Sequence, residues 1–142
     1  MIDADDPTTW MDELGRGFLP GLLGIEADDA RDGSVRLRLA VRSDLLAPNG
    51  YLHAATVIAL ADTACGYGCQ LSLPDGVTGF TTIELKANFM GTARDGEIAC
   101  EATRVHAGRT TQIWDAVVQT PNGREIALFR CTQLLLRNPE ER

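Results

Sequence analysis

The segment from Asn49 to Leu73 constrains the fold of this chain most, because it is almost wholly apolar and carries one carboxylate. It reads NGYLHAATVIALADTACGYGCQLSL. A helix that is apolar all round is wrapped by other structure, so the segment predicts a buried central helix from about His53 to Leu73, ending before Pro74. An ionised carboxylate in such a helix is unfavourable unless hydrogen bonds or a chemical role justify it. Any interpretation of function therefore has to explain Asp62.

Length and charge limit the class of protein. The 142 residues are 44% hydrophobic and 23% charged, which predicts a single globular domain spanning 1–142. The formal net charge of −7 argues against a nucleic-acid partner. The N-terminus MIDADDPTTW lacks the basic and apolar regions of a signal peptide, and Asp62 would lie near the bilayer centre if the central helix crossed a membrane. We therefore expect a cytoplasmic protein with no membrane association.

The four cysteines are expected to pack in the core rather than to form disulfides. They are Cys65, Cys69, Cys100 and Cys131. Cys65 and Cys69 are one helical turn apart, a spacing that also occurs in metal sites, but no second cysteine pair or nearby histidine accompanies them. We expect no metal and no other cofactor.

The remaining patterns predict an α+β fold. A short helix at about 8–18, capped by Thr8 or Thr9, precedes strands at about Leu22–Asp28 and Val35–Val41. Four more strands follow the central helix, at Phe80–Met90, Glu97–Val105, Thr110–Gln119 and Glu125–Leu136. Short connections imply antiparallel pairing, with the apolar helix lying in the curve of the sheet. The charged tail 137–142 is expected to fray.

The start of the central helix offers candidate binding groups. Gly50 permits a tight turn, and His53-Ala54-Ala55 supplies first-turn N–H groups that lack partners within the helix. Such donors can hold a carbonyl oxygen that gains charge, but from position alone we favour the alternative, in which the preceding loop caps them. His53 could act as a base, a metal ligand or a loop anchor, and we favour the loop anchor. Asn49 is either a donor to substrate or part of an ordinary Pro-Asn-Gly turn.

Asp62 lies nine residues after His53, a separation of about 13.5 Å along a helix. One chain cannot place both side chains at a single reacting atom unless it bends or a neighbouring copy contributes. Asp62 is either a structural residue bonded to a backbone amide or a threonine, or a working acid, and we favour the working acid. Phosphate-binding and dinucleotide glycine motifs are absent, as is a Gly-x-Ser-x-Gly nucleophile elbow.

These residues together resemble a known family. Asn49-Gly50, His53 with two small residues after it, and Leu60-Ala61-Asp62 are similar to the hotdog-fold acyl-CoA thioesterases of the phenylacetate-pathway and 4-hydroxybenzoyl-CoA type. The resemblance extends from about Leu22 to Leu136. It implies a hotdog fold, in which a curved antiparallel sheet wraps a long central helix, and hydrolysis of an acyl-CoA thioester to free acid and CoA.

The resemblance also implies roles for individual residues. Asp62 corresponds to the nucleophile or general base, and the Ala54 N–H to the group that polarises the thioester carbonyl. Thr82, or alternatively Thr81, corresponds to the residue that holds the attacking water. The family shares its site between two subunits of a homodimer, commonly paired into a tetramer, which would resolve the distance between the helix start and Asp62.

Two features of this chain depart from the family pattern. The family has His-Gly-Gly where this chain has His53-Ala54-Ala55. Alanine keeps the N–H, so oxyanion binding survives in an ordinary helical turn and fails where the turn needs a glycine-only conformation. The family has Asn or Gln six residues before the histidine, where this chain has Ala47, and Asn49 is the candidate substitute.

Substrate contacts are expected on both sides of this site. The acyl group would enter near Tyr51, Asp62 and Thr82, with Gly50 and Ala55 beside the helix start. Arg109, together with Arg104 or Lys86, is the candidate for the CoA phosphates, and solvated strand charges are the alternative. The aromatic residues that could line a pocket, or equally pack in the core, are Tyr51, Tyr67, Phe80 and Phe89.

Two other functions fit the same fold. A non-hydrolytic acyl-CoA binding or regulatory protein is favoured by the alanines after His53. A hydratase or dehydratase would need a histidine and an acid at one carbon, and His53 with Asp62 does not resemble that arrangement.

Overall fold

The computed structural model of the protein describes Ile2 and residues 5–139. Its elements are α1 (Pro7–Gly15), α2 (Leu19–Leu23), β1 (Ile25–Arg31), β2 (Ser34–Ala40), α3 (Ala54–Leu71), β3 (Val77–Phe89), β4 (Glu97–Ala107), β5 (Thr111–Gln119) and β6 (Glu125–Arg137). The strands form one antiparallel sheet in the order β1-β2-β4-β5-β6-β3. The predicted α+β hotdog architecture is confirmed.

The long helix α3 packs on one face of the sheet and forms the core together with the strands. Alternate residues of β5 are buried towards it, among them the fully buried Trp114. A Cβ at Gly68 of α3 would lie 2.4 Å from the Trp114 ring, so only glycine allows the helix this close to the sheet. The helix and the strands therefore share one core.

The ends of α3 have identifiable causes. His53 is the N-cap, and its Nδ1 accepts a hydrogen bond of 2.9 Å from the Ala55 N–H. The helix ends at Leu71, where the Ser72 N–H donates to the Cys69 carbonyl. The prediction of His53–Leu73 was therefore one residue long at the start and two at the end.

The N-terminal prediction needs a larger correction. The helix expected at 8–18 is Pro7–Gly15, and its N-cap is Asp6 rather than Thr8 or Thr9. The first strand begins at Ile25 instead of Leu22, because Leu19–Leu23 is a second short helix, and the strand extends to Arg31, beyond the expected end at Asp28. Gly24 ends that helix with a φ of +78°, a left-handed conformation that glycine adopts without strain.

The second half of the chain also differs in detail. The strand β3 begins at Val77 and ends at Phe89, and it pairs with β6 instead of β4. The turn at Arg94-Asp95-Gly96 therefore joins strands that are not neighbours, and it is not a hairpin. Arg137 does not fray: it belongs to β6 and donates to the carbonyls of Asp75 and Arg109. Residues 140–142 of the expected frayed tail lie outside the described residues.

No helix within the described residues is long and apolar enough to cross a membrane.

Candidate active site

Asp62 is partly buried on α3, and its carboxylate meets a hydroxyl from the sheet. The Thr82 Oγ1–H donates to Asp62 Oδ1 over 3.0 Å. Burial raises the pKa of the Asp62 carboxyl above its ordinary value, while the hydrogen bond from Thr82 opposes that rise. The carboxyl group of Asp62 therefore takes up its proton at a higher pH than the carboxyl group of a solvated aspartate does.

Thr82 is placed by the pairing of β3 with β6. It lies opposite Gln133, whose Oε1 is 2.9 Å from Thr82 Oγ1. Gln133 is fully buried and was missed by sequence reasoning. The available signal was a polar residue on the same face of β6 as Cys131 and Leu135, which are both buried. Thr81, the alternative to Thr82, is exposed.

An apolar pocket of about 190 Å³ opens beside Asp62. Its lining residues come from the N-terminal helices, from α3 and from β3: Leu14, Pro20, Asp62, Thr63, Gly66, Tyr67, Gln70 and Phe80. Burial and the nearby Asp12 carboxylate raise the pKa of Tyr67 to about 12, which keeps its phenol protonated at neutral pH. Of the four aromatic candidates, Tyr67 and Phe80 line this pocket, whereas Tyr51 and Phe89 do not.

The start of α3 presents one free N–H group. The Ala55 N–H donates to His53 Nδ1, and the N–H groups of Thr56 and Val57 donate to the His53 carbonyl. No acceptor within the described part of the chain receives the N–H of Ala54, which is exposed. Ala54 and Ala55 lie in an ordinary helical turn, and no described non-glycine residue has a positive φ. The turn therefore needs no glycine.

The loop before α3 is held by its own side chains. Asn49 Oδ1 accepts a 3.1 Å hydrogen bond from the Tyr51 N–H, and Gly50 has a φ of +85°. The Arg94 guanidinium lies over the exposed Tyr51 ring, 4.6 Å from the ring centroid. His53 therefore caps the helix, and the side-chain oxygen of Asn49 accepts a hydrogen bond within the turn.

One chain does not bring the two halves of the site together. Ala54 and Asp62 are eight residues apart in a continuous helix, a rise of about 12 Å. A carbonyl held at the Ala54 N–H is therefore out of reach of the Asp62 carboxylate of the same chain.

The three expected cationic residues are also dispersed. Arg104 forms an ion pair of 2.7 Å with Asp32. Lys86 lies opposite Arg130 in the sheet, on the face away from α3, where Arg130 grips Asp115. Arg109 is exposed in the β4–β5 connection.

The cysteines are buried thiols within the core, and all four are unpaired. Burial raises the pKa of Cys69 and of Cys100 to about 12, so neither is a reactive thiolate. No group of three or more metal-ligating side chains occurs among the residues that the structure describes.

A long helix against a curved antiparallel sheet, with an acid on the helix facing an apolar pocket, defines a hotdog-fold protein. A family model described as the Thioesterase superfamily matches residues 49–127, and the chain belongs to that superfamily. It is a thioester hydrolase of the hotdog type.

Known proteins resemble this chain in sequence or in fold. A 1,4-dihydroxy-2-naphthoyl-CoA hydrolase of Listeria monocytogenes is 28% identical over 111 residues, which are 78% of this chain and 89% of that protein. The structure of a thioesterase from Haemophilus influenzae has a TM-score of 0.86 at 23% identity and covers 92% of this chain and 90% of its own. The PaaI protein from the phenylacetic acid degradation operon of Escherichia coli has a TM-score of 0.80 at 20% identity, covering 91% and 94%.

Proposed function

We propose that this chain hydrolyses an acyl-CoA thioester to the free acid and CoA, in a site shared between two subunits. The observation that carries the proposal is the partly buried Asp62, held by Thr82 beside an apolar pocket. The related hydrolase of Listeria monocytogenes is named for an acyl-CoA substrate, which supports CoA as the thiol. The pocket takes the acyl group, and its apolar lining favours a hydrophobic one.

The chemistry follows from the groups at the two ends of the site. The Ala54 N–H, at the positive end of the α3 dipole, donates to the thioester oxygen as that oxygen gains negative charge. Asp62 either removes a proton from the attacking water or attacks the carbonyl carbon itself. When Asp62 acts as a base, the C–O bond to water forms, the C–S bond breaks, and the departing CoA sulfur takes the proton that the water released. When Asp62 attacks directly, its oxygen forms an anhydride with the acyl group as the C–S bond breaks. Water then cleaves that anhydride, which frees the acid, regenerates the carboxylate and supplies the proton for the CoA thiolate. Thr82 holds Asp62, or the water beside it, in place.

A second copy of the chain completes the site, because the Ala54 N–H of one chain cannot reach its own Asp62. The edge strand β3 supports a dimer, with Ile83, Leu85 and Phe89 between 42% and 57% exposed. The opposite edge, β1, is seven residues long and carries four charged side chains, a usual protection against pairing. A dimer that pairs β3 with β3 covers the unprotected edge and lies beside Thr82, and two such dimers can form a tetramer.

CoA phosphates would be bound outside the pocket. Arg109 is our first choice because it is exposed and no described carboxylate lies within ion-pairing distance of it. Arg104, paired with Asp32, and Lys86, on the outer face of the sheet, are weaker choices.

The cysteines of the described residues are unpaired thiols, which suits the reducing cytoplasm, the location that we propose.

The alternative of acyl-CoA binding without hydrolysis loses its main support. It rested on alanines replacing glycines after His53, yet both alanines adopt ordinary helical backbone with Ala54 N–H free. Release of CoA thiol from a panel of aryl and medium-chain acyl-CoAs separates the two functions.

Two variants that each disable one half of the site test the shared arrangement. Asp62→Asn removes the charge, and Ala54→Pro removes the N–H at the first helical position, where proline is well tolerated. His53, with a ψ of 134°, already has the extended backbone that precedes proline. We expect each variant alone to lose thioester hydrolysis by about 100-fold or more.

Mixing the two variants should restore activity. In a mixed dimer, one site carries both defects and the other carries neither. Random exchange makes about half the dimers mixed, so about a quarter of the parental activity should return. If refolded mixtures stay as inactive as the single variants while thiol release by the parent is normal, the site is not shared in this way.

A further inference from the structure

We propose that Gln133 is a positioning residue of this site: its side-chain amide donates to Thr82 Oγ1 and thereby directs the single hydroxyl proton of Thr82 to the Asp62 carboxylate. The inference rests on the proposed function, because it takes Asp62 as the group that acts on the thioester. It adds a residue from a third element, β6, to the pair formed by α3 and β3.

Gln133 occupies a position that would normally be apolar. It has no exposed surface, and its strand neighbours on the same face, Cys131 and Leu135, are buried apolar residues. A buried amide is retained where its donors and acceptor have partners. The partners here are Thr82 Oγ1 at 2.9 Å and Cys131 Sγ at 3.4 Å. The neighbouring buried amide, Gln112, is instead engaged by the Trp114 N–H at 2.8 Å.

Counting protons fixes the direction of the hydrogen bonds. Thr82 has one hydroxyl proton and two oxygen neighbours, Asp62 Oδ1 at 3.0 Å and Gln133 Oε1 at 2.9 Å. An ionised Asp62 has no proton to donate, and neither has an amide oxygen. With Oε1 facing Thr82, two acceptors would compete for one proton.

A half-turn of the Gln133 amide removes this competition. It exchanges Oε1 and Nε2 and leaves every contact in place. The Nε2–H then donates to Thr82 Oγ1, and the Thr82 proton is free for Asp62. The Oε1 now faces Cys131, whose S–H is a weak donor. All three elements are then linked by hydrogen bonds that run in one direction, from β6 through β3 to α3.

Such a chain strengthens its last hydrogen bond, because each donor polarises the next. Gln133 therefore favours the charged form of Asp62 without touching it. Two other titratable groups face Asp62 from α3. Burial keeps the Cys65 thiol protonated by raising its pKa well above the usual range, and the pocket-lining Tyr67 is held protonated in the same way. Both groups are therefore neutral at neutral pH and place no charge beside Asp62, while the hydrogen bond to Asp62 comes from Thr82.

A double-mutant cycle tests whether Gln133 acts through Thr82. Gln133→Met replaces the amide by an unbranched apolar chain of similar size, and Thr82→Val removes the hydroxyl. The carboxyl carbon of Asp62 is titrated by NMR in the parent, both single variants and the double variant, and the pH profile of kcat/KM is measured alongside. Gln112→Met, which deletes the other buried amide without touching Thr82, is the matched control.

We expect Gln133→Met to move the Asp62 titration and the acid limb of the pH profile to higher pH. The value of kcat/KM below neutral pH should fall about tenfold, the size of one net hydrogen bond, with KM little changed. In the Thr82→Val background the same substitution should move neither titration nor profile. Gln112→Met should leave both as in the parent. A shift of equal size with and without the Thr82 hydroxyl would overturn the proposal.

A measurement on the parent protein keeps the inference testable if a variant does not fold. In the proposed orientation the assigned Gln133 Nε2 protons lie beside Thr82, and their NOEs should reach its side-chain protons. NOEs to the Cys131 β-protons instead would refute the assignment. Failure of the proposed function is separate: it would appear as full activity in Asp62→Asn, whatever the orientation of Gln133.

Discussion

Asp62 carries a charge that favours chemistry and opposes folding. Burial raises its pKa, so between the ordinary value and the raised one the folded chain holds a proton that the unfolded chain has released. The free energy of unfolding therefore falls as the pH rises through that interval. Activity should rise over the same interval, because hydrolysis needs the carboxylate. Stability and activity are thus expected to respond to pH in opposite directions.

Replacing Asp62 by Asn should separate these two effects. We expect Asp62→Asn to unfold at a higher temperature than the parent at neutral pH, because it removes a partly buried charge, while kcat/KM falls at least about 100-fold. Thermal unfolding followed across the acidic and neutral range, with thiol release measured on the same samples, checks both. Asp95→Asn, an exposed aspartate in a turn, is the control and should change neither quantity. A variant that is inactive and also less stable would indicate that Asp62 is structural.

Part of the candidate site was predictable from the sequence at this scale. A carboxylate in an apolar helix pointed to Asp62, and the resemblance pointed to Thr82, which the structure places in contact with Asp62. The resemblance also pointed to Ala54, whose role stays a prediction. Gln133 was not predicted, because a single polar residue in an alternating strand signals burial only when the pairing of the strand is known. The dispersal of Arg104, Arg109 and Lys86 depends on which face of the sheet each one occupies, and sequence spacing did not provide that information.

The central helix is held against the sheet by a contact that tolerates no side chain. Gly68 faces the ring of Trp114, which is fully buried and cannot move aside. We expect Gly68→Ala to reduce the free energy of unfolding by about 1–3 kcal/mol, because this overpacking outweighs the better helix propensity of alanine.

Gly79→Ala is the matched control for this prediction. A Cβ at Gly79 would meet no atom within 4 Å, so its effect on stability should be small. Chemical denaturation of both variants measures the difference. Equal stability of the two variants would show that α3 can shift away from Trp114 without loss.

Elements with strong periodicity were predicted well, and those set by tertiary context were not. The apolar run of α3 and the alternation in β2 gave nearly correct bounds. The strand expected from Leu22 begins only at Ile25, because a short helix that the composition does not signal runs to Leu23 and ends at Gly24. Ile83 interrupts the alternation of β3, since the pairing with β6 shifts register between Thr82 and Glu84. The pairing of β3 with β6 rather than β4 is a long-range choice that no local pattern determines.

The molecule as a whole has one protected edge and one unprotected edge, and this asymmetry predicts its assembly. We expect Leu85→Lys, on β3, to shift the protein towards monomers and to reduce thioester hydrolysis in parallel, because a charge at a dimer interface is desolvated. Sedimentation velocity and thiol release at matched concentrations measure the two effects. Val105→Lys, at a position on β4 that is 53% exposed, should leave both unchanged. A fully active monomer would rule out the shared site.

The unpaired edge of β3, with its exposed apolar side chains, also matters while the protein is being synthesised and folded. A single folded chain carries a thirteen-residue edge strand that pairs with β6 on one side only, and several of its aliphatic and aromatic side chains are exposed. As long as no second copy covers that edge, the strand can add to any other exposed backbone and so lead to aggregates. Yield of soluble protein should therefore depend on how quickly newly made chains find each other.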